Sequence, residues 1–579
     1  MQVEATLPGL EQATLELRMS RSSPGRYSLH DFAKNVYDVR ALAGGRELTP
    51  SRPDAYGWNV AEHGGAVTVT YKVYGDRLDG TYLAVDETHA HVNMPAAIMW
   101  ARGLEDRPIV VTFTQPPGQT WRVATQLHPG AQPLEFTAAN LEYLMDSPAE
   151  FGPIRMRVFT VDGRTFRLSL HHAGTDNELD ALAHDAERIV REEGAIYGGY
   201  PEYEPGHYTF LIDSLPHAYG DGMEHRNSTV ITSPVALANN GRRDVADTVA
   251  HEFFHSWNTE RIRPMGLEPF DFERANSSRE LWLAEGFTQY YGPLVLQRSG
   301  LEDLSSTARS FSSLVDAVVN DPGRRTRSAE EMSLMAPFID GSHPMDRTNW
   351  SNTVISYYPF GGAIALALDL TLRGRTDSRV SLDDFMRAMW ERFGRPGGRR
   401  EGYVDRPYTT DDAETVLGEV SGDRGFAREF FSRYIRGRDA ADYPALLERA
   451  GLAVRRRHPG RAWLGDVRLI ARDGARVSTL VAPTWPVYAA GLDQDDELQD
   501  VAGRRVNDDS DLAAALARHG PGDRVRIVFV DRSGRSRTAT VTLAEDPHLD
   551  VVPIDTPTAP QRAFRDRWLG DAFLPIPPN

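Results

Sequence analysis

The 579-residue chain contains no cysteine. This excludes disulfides, thiolate metal ligands and a cysteine nucleophile together, so any metal must be held by His, Asp or Glu. Lysine is nearly absent as well: Lys34 and Lys72 stand against abundant arginine, a compositional bias without functional weight. Positive charge is short overall. The formal charge is −18 and runs such as Arg455–Arg457 are brief, which argues against nucleic acid as a partner because a phosphate-binding surface needs a basic patch. The longest apolar stretch, around Ala363–Leu368, is cut by Asp369, so no transmembrane span is expected. Met1–Thr6 does not read as a charged segment followed by an apolar one, so no export signal is legible there.

What is present is ordinary globular material, 41% hydrophobic and 25% charged. The length suggests roughly three or four compact units. Alternating runs such as Ala66–Tyr74 and Arg155–Val161, divided by Gly, Pro and Asp turns, predict an all-β unit over residues 1–165, with the strand Thr165–His171 leading onward. Helical periodicity dominates from Asn177 to about Glu448, with segments at 178–194, 244–258, 279–292 and 361–374. A β/α module follows at 460–546, and a proline-rich tail over 547–579 is expected to pack as an extended strap or fray. The fold class is therefore multidomain α+β.

The chemistry concentrates in His251-Glu-Phe-Phe-His255. Asp244 can cap this segment and Pro264 can end it, while Val245, Val249, Phe253 and Trp257 form a stripe at spacing four, so a helix is expected. One helical turn apart, His251 and His255 reach one ion, and Glu252 is placed to take a proton from an attacking water. Glu285 lies in a second helical segment, Leu281–Tyr291, among apolar and aromatic neighbours. A carboxylate buried there wants a cation. Two histidines and a glutamate leave an open position, the pattern of catalytic Zn²⁺ and of hydrolysis.

The stretches His251–Asn258, Arg261-Ile-Arg-Pro264 and Leu281–Tyr291, with Ser23-Pro-Gly-Arg-Tyr27 and Asp31–Val36 upstream, resemble the glycyl aminopeptidase family of gluzincin zinc metallopeptidases. The resemblance begins at what reads as an early strand of the β domain. It implies an N-terminal β domain, a thermolysin-like zinc catalytic domain over 166–300, a helical domain over 301–455 completing the active site, and a C-terminal PDZ domain over 460–546. It also implies one zinc on His251, His255 and Glu285.

Asp221-Gly-Met-Glu-His225 is similar to the exopeptidase motif of gluzincin aminopeptidases. On that likeness Glu224, flanked by Gly222 and Met223, binds the substrate's free α-amine, so that only the first peptide bond reaches the metal. Ser356–Gly362 resembles the segment that supplies a transition-state tyrosine. Alignment on Gly361 selects Tyr358, with Tyr357 as the alternative because Phe360 stands where the family usually has lysine. Tyr488–Leu492 and Asp495–Gly503 look like a PDZ core; its carboxylate loop would be Trp463–Val467, where Asp466 replaces an apolar residue and disfavours a chain terminus. Packing or substrate gating is as well supported there as tail binding, and the PDZ ligand is open. The expected function is removal of small N-terminal residues, such as Gly or Ala, from peptides in the periplasm or outside the cell, otherwise in the cytoplasm. An endopeptidase of the same fold and a PDZ-based binding protein with a degenerate catalytic domain are the alternatives.

Overall fold

The computed structural model describes residues 1–340 and 345–570. In the N-terminal unit, alternation becomes strands as expected: Ala66–Val73 turns Val67, Val69, Tyr71 and Val73 inward and pairs with Gln2–Pro8 and Val36–Ala43. A further four-stranded sheet runs in the order Arg122–Thr125, Ala149–Gly152, Ala90–Val92, Leu83–Val85. It lies against the next unit, since Ala124 packs with Leu211 and Val230.

That next unit is built on a five-stranded mixed sheet, ordered Arg155–Val161, Arg164–His172, His207–Ser214, Ser228–Ser233, Asp221–His225. The three inner strands are parallel and the two edge strands antiparallel. The hairpin 155–172 therefore belongs here, and the β unit expected over 1–165 gives way near Ile154. A half-buried edge hairpin alternates like a meander, so its sheet cannot be told from its pattern.

The crossover between the first two parallel strands carries the helix Asp176–Tyr197. A reciprocal cap between Thr175 and Glu178 opens it and Gly198, at φ 75°, closes it. Its stripe of Leu179, Leu182, Ala186, Ile189 and Val190 enters the main core.

The helix expected over 244–258 spans Gly241–Glu252 instead, and Phe254–Ser256 follows as a tighter 3-10 turn. Asp244 is not its cap: it sits in the first turn, where its charge still complements the helix dipole. Helices Leu281–Arg298 and Tyr357–Thr376 form the tightest helix pair. A Cβ on Gly286 would come 2.4 Å from Gly361 Cα, and one on Gly361 would come 2.0 Å from the Trp282 carbonyl oxygen. Glycine at the crossing lets the backbones touch, which brings Glu285 beside Tyr357 and Tyr358. The segment Trp350–Thr376 is long and apolar enough to cross a membrane by length and composition, but 72% of its apolar 18-residue window is buried in the protein. It is a core helix.

The C-terminal module has its own core of Val477, Leu498, Val501, Ile527 and Phe529. Beyond it, the expected strap or frayed tail is neither. Leu549–Pro553 pairs with Leu452–Arg456, and the helix Ala559–Leu569 buries Trp568 against Phe311, its indole donating to Tyr290 Oη. Backbone pairing and one aromatic anchor outweigh the proline content; residues 571–579 lie outside the described ones.

His548 clamps the module to the helical unit. Its Nδ1 reaches Asp316 at 2.9 Å and its Nε2 reaches Asp466 at 3.1 Å, so both nitrogens carry protons. Bonds to Asp316 and Asp466 push its pKa from 6.5 up to about 10. The folded pKa exceeds the unfolded one, so the stabilisation is complete below about pH 6.5 and is lost as pH rises through about 10. Amide exchange across the module, corrected for intrinsic rate, is expected to accelerate over that interval relative to the five-stranded sheet, and His548→Gln to flatten the response. A flat profile in the unmodified protein would remove this contact as a clamp.

Candidate functional site

The end of the helix Gly241–Glu252 and the turn after it place His251 and His255 side by side, with ring centroids 5.0 Å apart. Glu285 enters from the helix Leu281–Arg298: its Oε2 lies 3.7 Å from His251 Nε2 and 3.3 Å from His255 Nε2. His255 and Glu285 are fully buried, and His251 keeps a partly open side chain.

The surroundings prepare these atoms for a cation. His255 Nδ1 lies 2.7 Å from the Asn258 carbonyl, which can only accept, so Nδ1 carries a proton and Nε2 is the nitrogen turned toward Glu285. Asn258 is held in turn by its amide donating to the Leu283 and Ala284 carbonyls and to Thr288 Oγ1. The other oxygen of Glu285 accepts from the Tyr27 hydroxyl. Arg261 donates to the Ser256 and Arg226 carbonyls and so ties the turn to the sheet.

Burial alone would raise Glu285, but His255 and His251 overcome it and hold the carboxyl well below its ordinary range. Burial would lower His255, yet Glu285 and then Glu224 drive it well above. Glu252 is raised by burial, with His251 and His255 opposing, and its Oε2 has no hydrogen-bond partner. Three buried carboxylates, Glu224, Glu252 and Glu285, thus surround two imidazoles. The donor set fits a divalent cation on His251, His255 and Glu285.

The strand Asp221–His225, at the sheet edge, faces this cluster with alternate residues. Glu224 lies with Glu252 and His255 in one group whose ligand atoms are all within 4.8 Å. Burial pushes its carboxyl well above the ordinary range; Glu285 and Glu252 add to this and His255 opposes it. A Cβ on Gly222 would come 2.2 Å from Glu252 Oε1, so only glycine lets the strand approach. Met223 turns the other way, packing where Cβ atoms on Gly25 and Gly80 would collide with it, and is placed to shape the strand, not to meet a ligand. Tyr358 lies over His251, ring centroids 6.1 Å apart, and stacks on Tyr357 at 4.8 Å. Tyr357 is fully buried and packs edge-on against Tyr27. A pocket of about 270 Å³ opens beside both tyrosines, lined also by Asp340, Trp350 and Val354.

The N-terminal unit contributes more than the motifs indicate. Arg26 pairs with Asp221 and donates to Thr81 Oγ1 at 2.7 Å, and the Tyr27 amide donates to Asp340 at 3.2 Å. Gly25, at φ 77°, leaves only 3.0 Å between a Cβ there and Glu224 Oε2. Glu193, buried on the stripe of its helix with both oxygens unpartnered, feels the His255 charge. A glutamate at a core position of an amphipathic stripe was the one local sign of it.

The aminopeptidase N family protein from Idiomarina loihiensis shares this architecture, with a TM-score of 0.85 over 98% of this chain and 97% of that one at 23% identity; at that identity the likeness shows the fold alone. A 149-residue stretch is 32% identical to Leucine aminopeptidase 2-1 of Meyerozyma guilliermondii, covering 25% of this chain and 21% of that protein. A 171-residue stretch is 29% identical to Leucine aminopeptidase 2 of Emericella nidulans, covering 29% of this chain and 24% of that protein. The chain thus spans under a quarter of the length of these curated relatives. Residues 1–153 match the family model of the Peptidase M61 N-terminal domain and residues 244–364 that of the M61 glycyl aminopeptidase, so every candidate ligand, Glu252 and both tyrosines fall inside the second match.

Proposed function

We propose that this chain is a zinc-dependent aminopeptidase that removes N-terminal residues from peptides. The observation that carries the reading is the convergence of His251 Nε2, His255 Nε2 and Glu285 Oε2 beside two further buried carboxylates, Glu252 and Glu224. His251, His255 and Glu285 would hold the zinc, which would supply Lewis acidity toward the scissile carbonyl and the attacking water. Glu252 takes a proton from the attacking water and returns it to the leaving amine. Glu224 accepts the substrate's ammonium, whose charge compensates a carboxylate that burial otherwise disfavours. The Tyr358 hydroxyl donates to the carbonyl oxygen as negative charge develops there.

A preference for small residues such as Gly or Ala is part of the proposal; Gly25 packs beside Glu224, where a Cβ would come 3.0 Å from Oε2. Residues 462–545 are proposed as a PDZ module used for packing. Asp466 accepts from Trp463 Nε1 at 2.9 Å and from His548, which favours docking over capture of a chain terminus.

The test is a panel of aminoacyl chromogenic substrates and their N-acetylated counterparts, before and after chelation and zinc return. Free-amine substrates are expected to be cut only with metal present, and acetylated ones not at all. Equal cutting of both would make the protein an endopeptidase, and cutting that survives chelation would end the metal reading.

A further inference from the structure

A second cluster of buried imidazoles and carboxylates lies between the N-terminal unit and the catalytic sheet. His171 and Asp213 are register partners on the neighbouring parallel strands Arg164–His172 and His207–Ser214, so both project from one face. That face looks at the N-terminal unit, because Leu211, two residues before Asp213, packs with Ala124 and Ile154 while Phe210 and Ile212 enter the catalytic core. From the opposite side His91 and Glu150 face each other across the Ala90–Val92 and Ala149–Gly152 pair, and His89 precedes that strand on the same side as His91.

The cluster is built and unsatisfied at once. His89, His91, Glu150 and Asp213 are each about 1% exposed or less. Both oxygens of Asp213, Glu150 Oε2, His89 Nε2, His91 Nε2 and His171 Nδ1 are buried without a hydrogen-bond partner. A buried carboxylate left in this state is costly, and two facing each other are more so.

The tautomer of His89 is decided locally. Thr88 Oγ1 donates its single proton to Asp86 at 2.6 Å, so toward His89 Nδ1, 3.1 Å away, it can only accept. Nδ1 therefore carries hydrogen, and the Nε2 lone pair points at Asp213 Oδ2, 3.9 Å distant. His171 Nδ1 lies 3.5 Å from Asp213 Oδ1. Donors bound to zinc at about 2.0–2.1 Å stand roughly 3.3 Å apart, close to this spacing. Gly152 permits the approach: a Cβ there would come 2.8 Å from His89 Cβ.

We propose that His89 Nε2, His171 Nδ1 and Asp213 bind one divalent first-row transition-metal ion, with the His91–Glu150 pair beside it, pinning the N-terminal unit to the catalytic sheet. Imidazole nitrogens with carboxylate oxygens suit zinc and its neighbours better than calcium or magnesium. The site is separate from the catalytic one. Across the sheet Asp213 aligns through Thr232 with Asp221, which faces Arg26, whereas Glu224 lies on the opposite face with Glu252. The sheet stands between the two ions. The clamp matters for catalysis because Tyr27 and Arg26, which hold Glu285 and Asp221, belong to the unit being pinned.

The test is metal content of the full-length chain after zinc loading and desalting. Two equivalents are expected in the unmodified protein, one in Glu285→Gln, one in Asp213→Asn, and none in the double variant. If only the proposed catalytic triad fails, Glu285→Gln leaves the count unchanged while Asp213→Asn still lowers it by one. Should Asp213→Asn not fold, His171→Gln at the rim takes its place. Cobalt(II) titrated into Glu285→Gln provides a second measurement, with visible ligand-field bands saturating at one equivalent. Zinc counts unaltered by Asp213→Asn and His171→Gln, or a colourless cobalt titration, would overturn the site and leave a proton-sharing network in its place.

Discussion

Glu252→Gln is expected to lower kcat by about 10²- to 10⁴-fold, the usual contribution of a positioned general base. Zinc content is expected to hold, because Glu252 is not one of the three converging donors. The substitution keeps the shape that Gly222 accommodates, where a Cβ would come 2.2 Å from Oε1, and it replaces a carboxyl that burial has already raised with a neutral group. Thermal stability should therefore be equal or higher, which separates lost chemistry from lost fold. KM should move little, since the base acts in the transition state. The measurement is kcat and KM on a free-amine substrate, with metal analysis and a melting curve on the same preparation. A variant that keeps its metal and its kcat would remove Glu252 from the mechanism.

Glu224→Gln should separate the aminopeptidase from its rivals. Truncating one member of a buried charge pair costs about 2–5 kcal/mol, which is roughly 30- to 5,000-fold in kcat/KM. The loss should fall on both constants, because the carboxylate binds the ammonium and also registers the scissile bond against the metal. Glu224 is only 5% exposed and its carboxylate is grouped with Glu252 and His255, which would put that ammonium beside the reacting carbonyl. Loss confined to free-amine substrates is the expected pattern. If Glu224→Gln leaves kcat/KM intact, the carboxylate is structural and the exopeptidase reading falls with it.

The local pattern of residues was sufficient to single out His251, Glu252, His255 and Glu285, which the fold brings together. His251 and His255 are four apart, and helical continuity carries them to one side even though the helix tightens after Glu252. Glu285 stands out because a glutamate flanked by Leu281, Trp282, Leu283 and Phe287 has no local use. The same short-range periodicity places most strands and helices within a few residues, since burial of one face is written into the spacing of apolar side chains.

Partners distant in sequence are another matter. Tyr27 is 258 residues from the Glu285 it bonds, and nothing in either neighbourhood signals the other. The hairpin 155–172 alternates identically whichever sheet receives it, so only packing against His207–Ser214 assigned it to the catalytic unit. Prolines in the last residues suggested a loose strap, but pairing with Leu452–Arg456 and the burial of Trp568 arise from surfaces formed elsewhere. His89, His91, Glu150, His171 and Asp213 come from four strands or their ends in two units, and only the stacking of two sheets joins them. The sequence by itself determined the candidate ligands that lie within a helical turn or announce themselves as buried charge. Tertiary structure alone decided which distant groups complete, orient and neutralise them, because hydrogen bonds and electrostatic fields depend on distance in space and not along the chain.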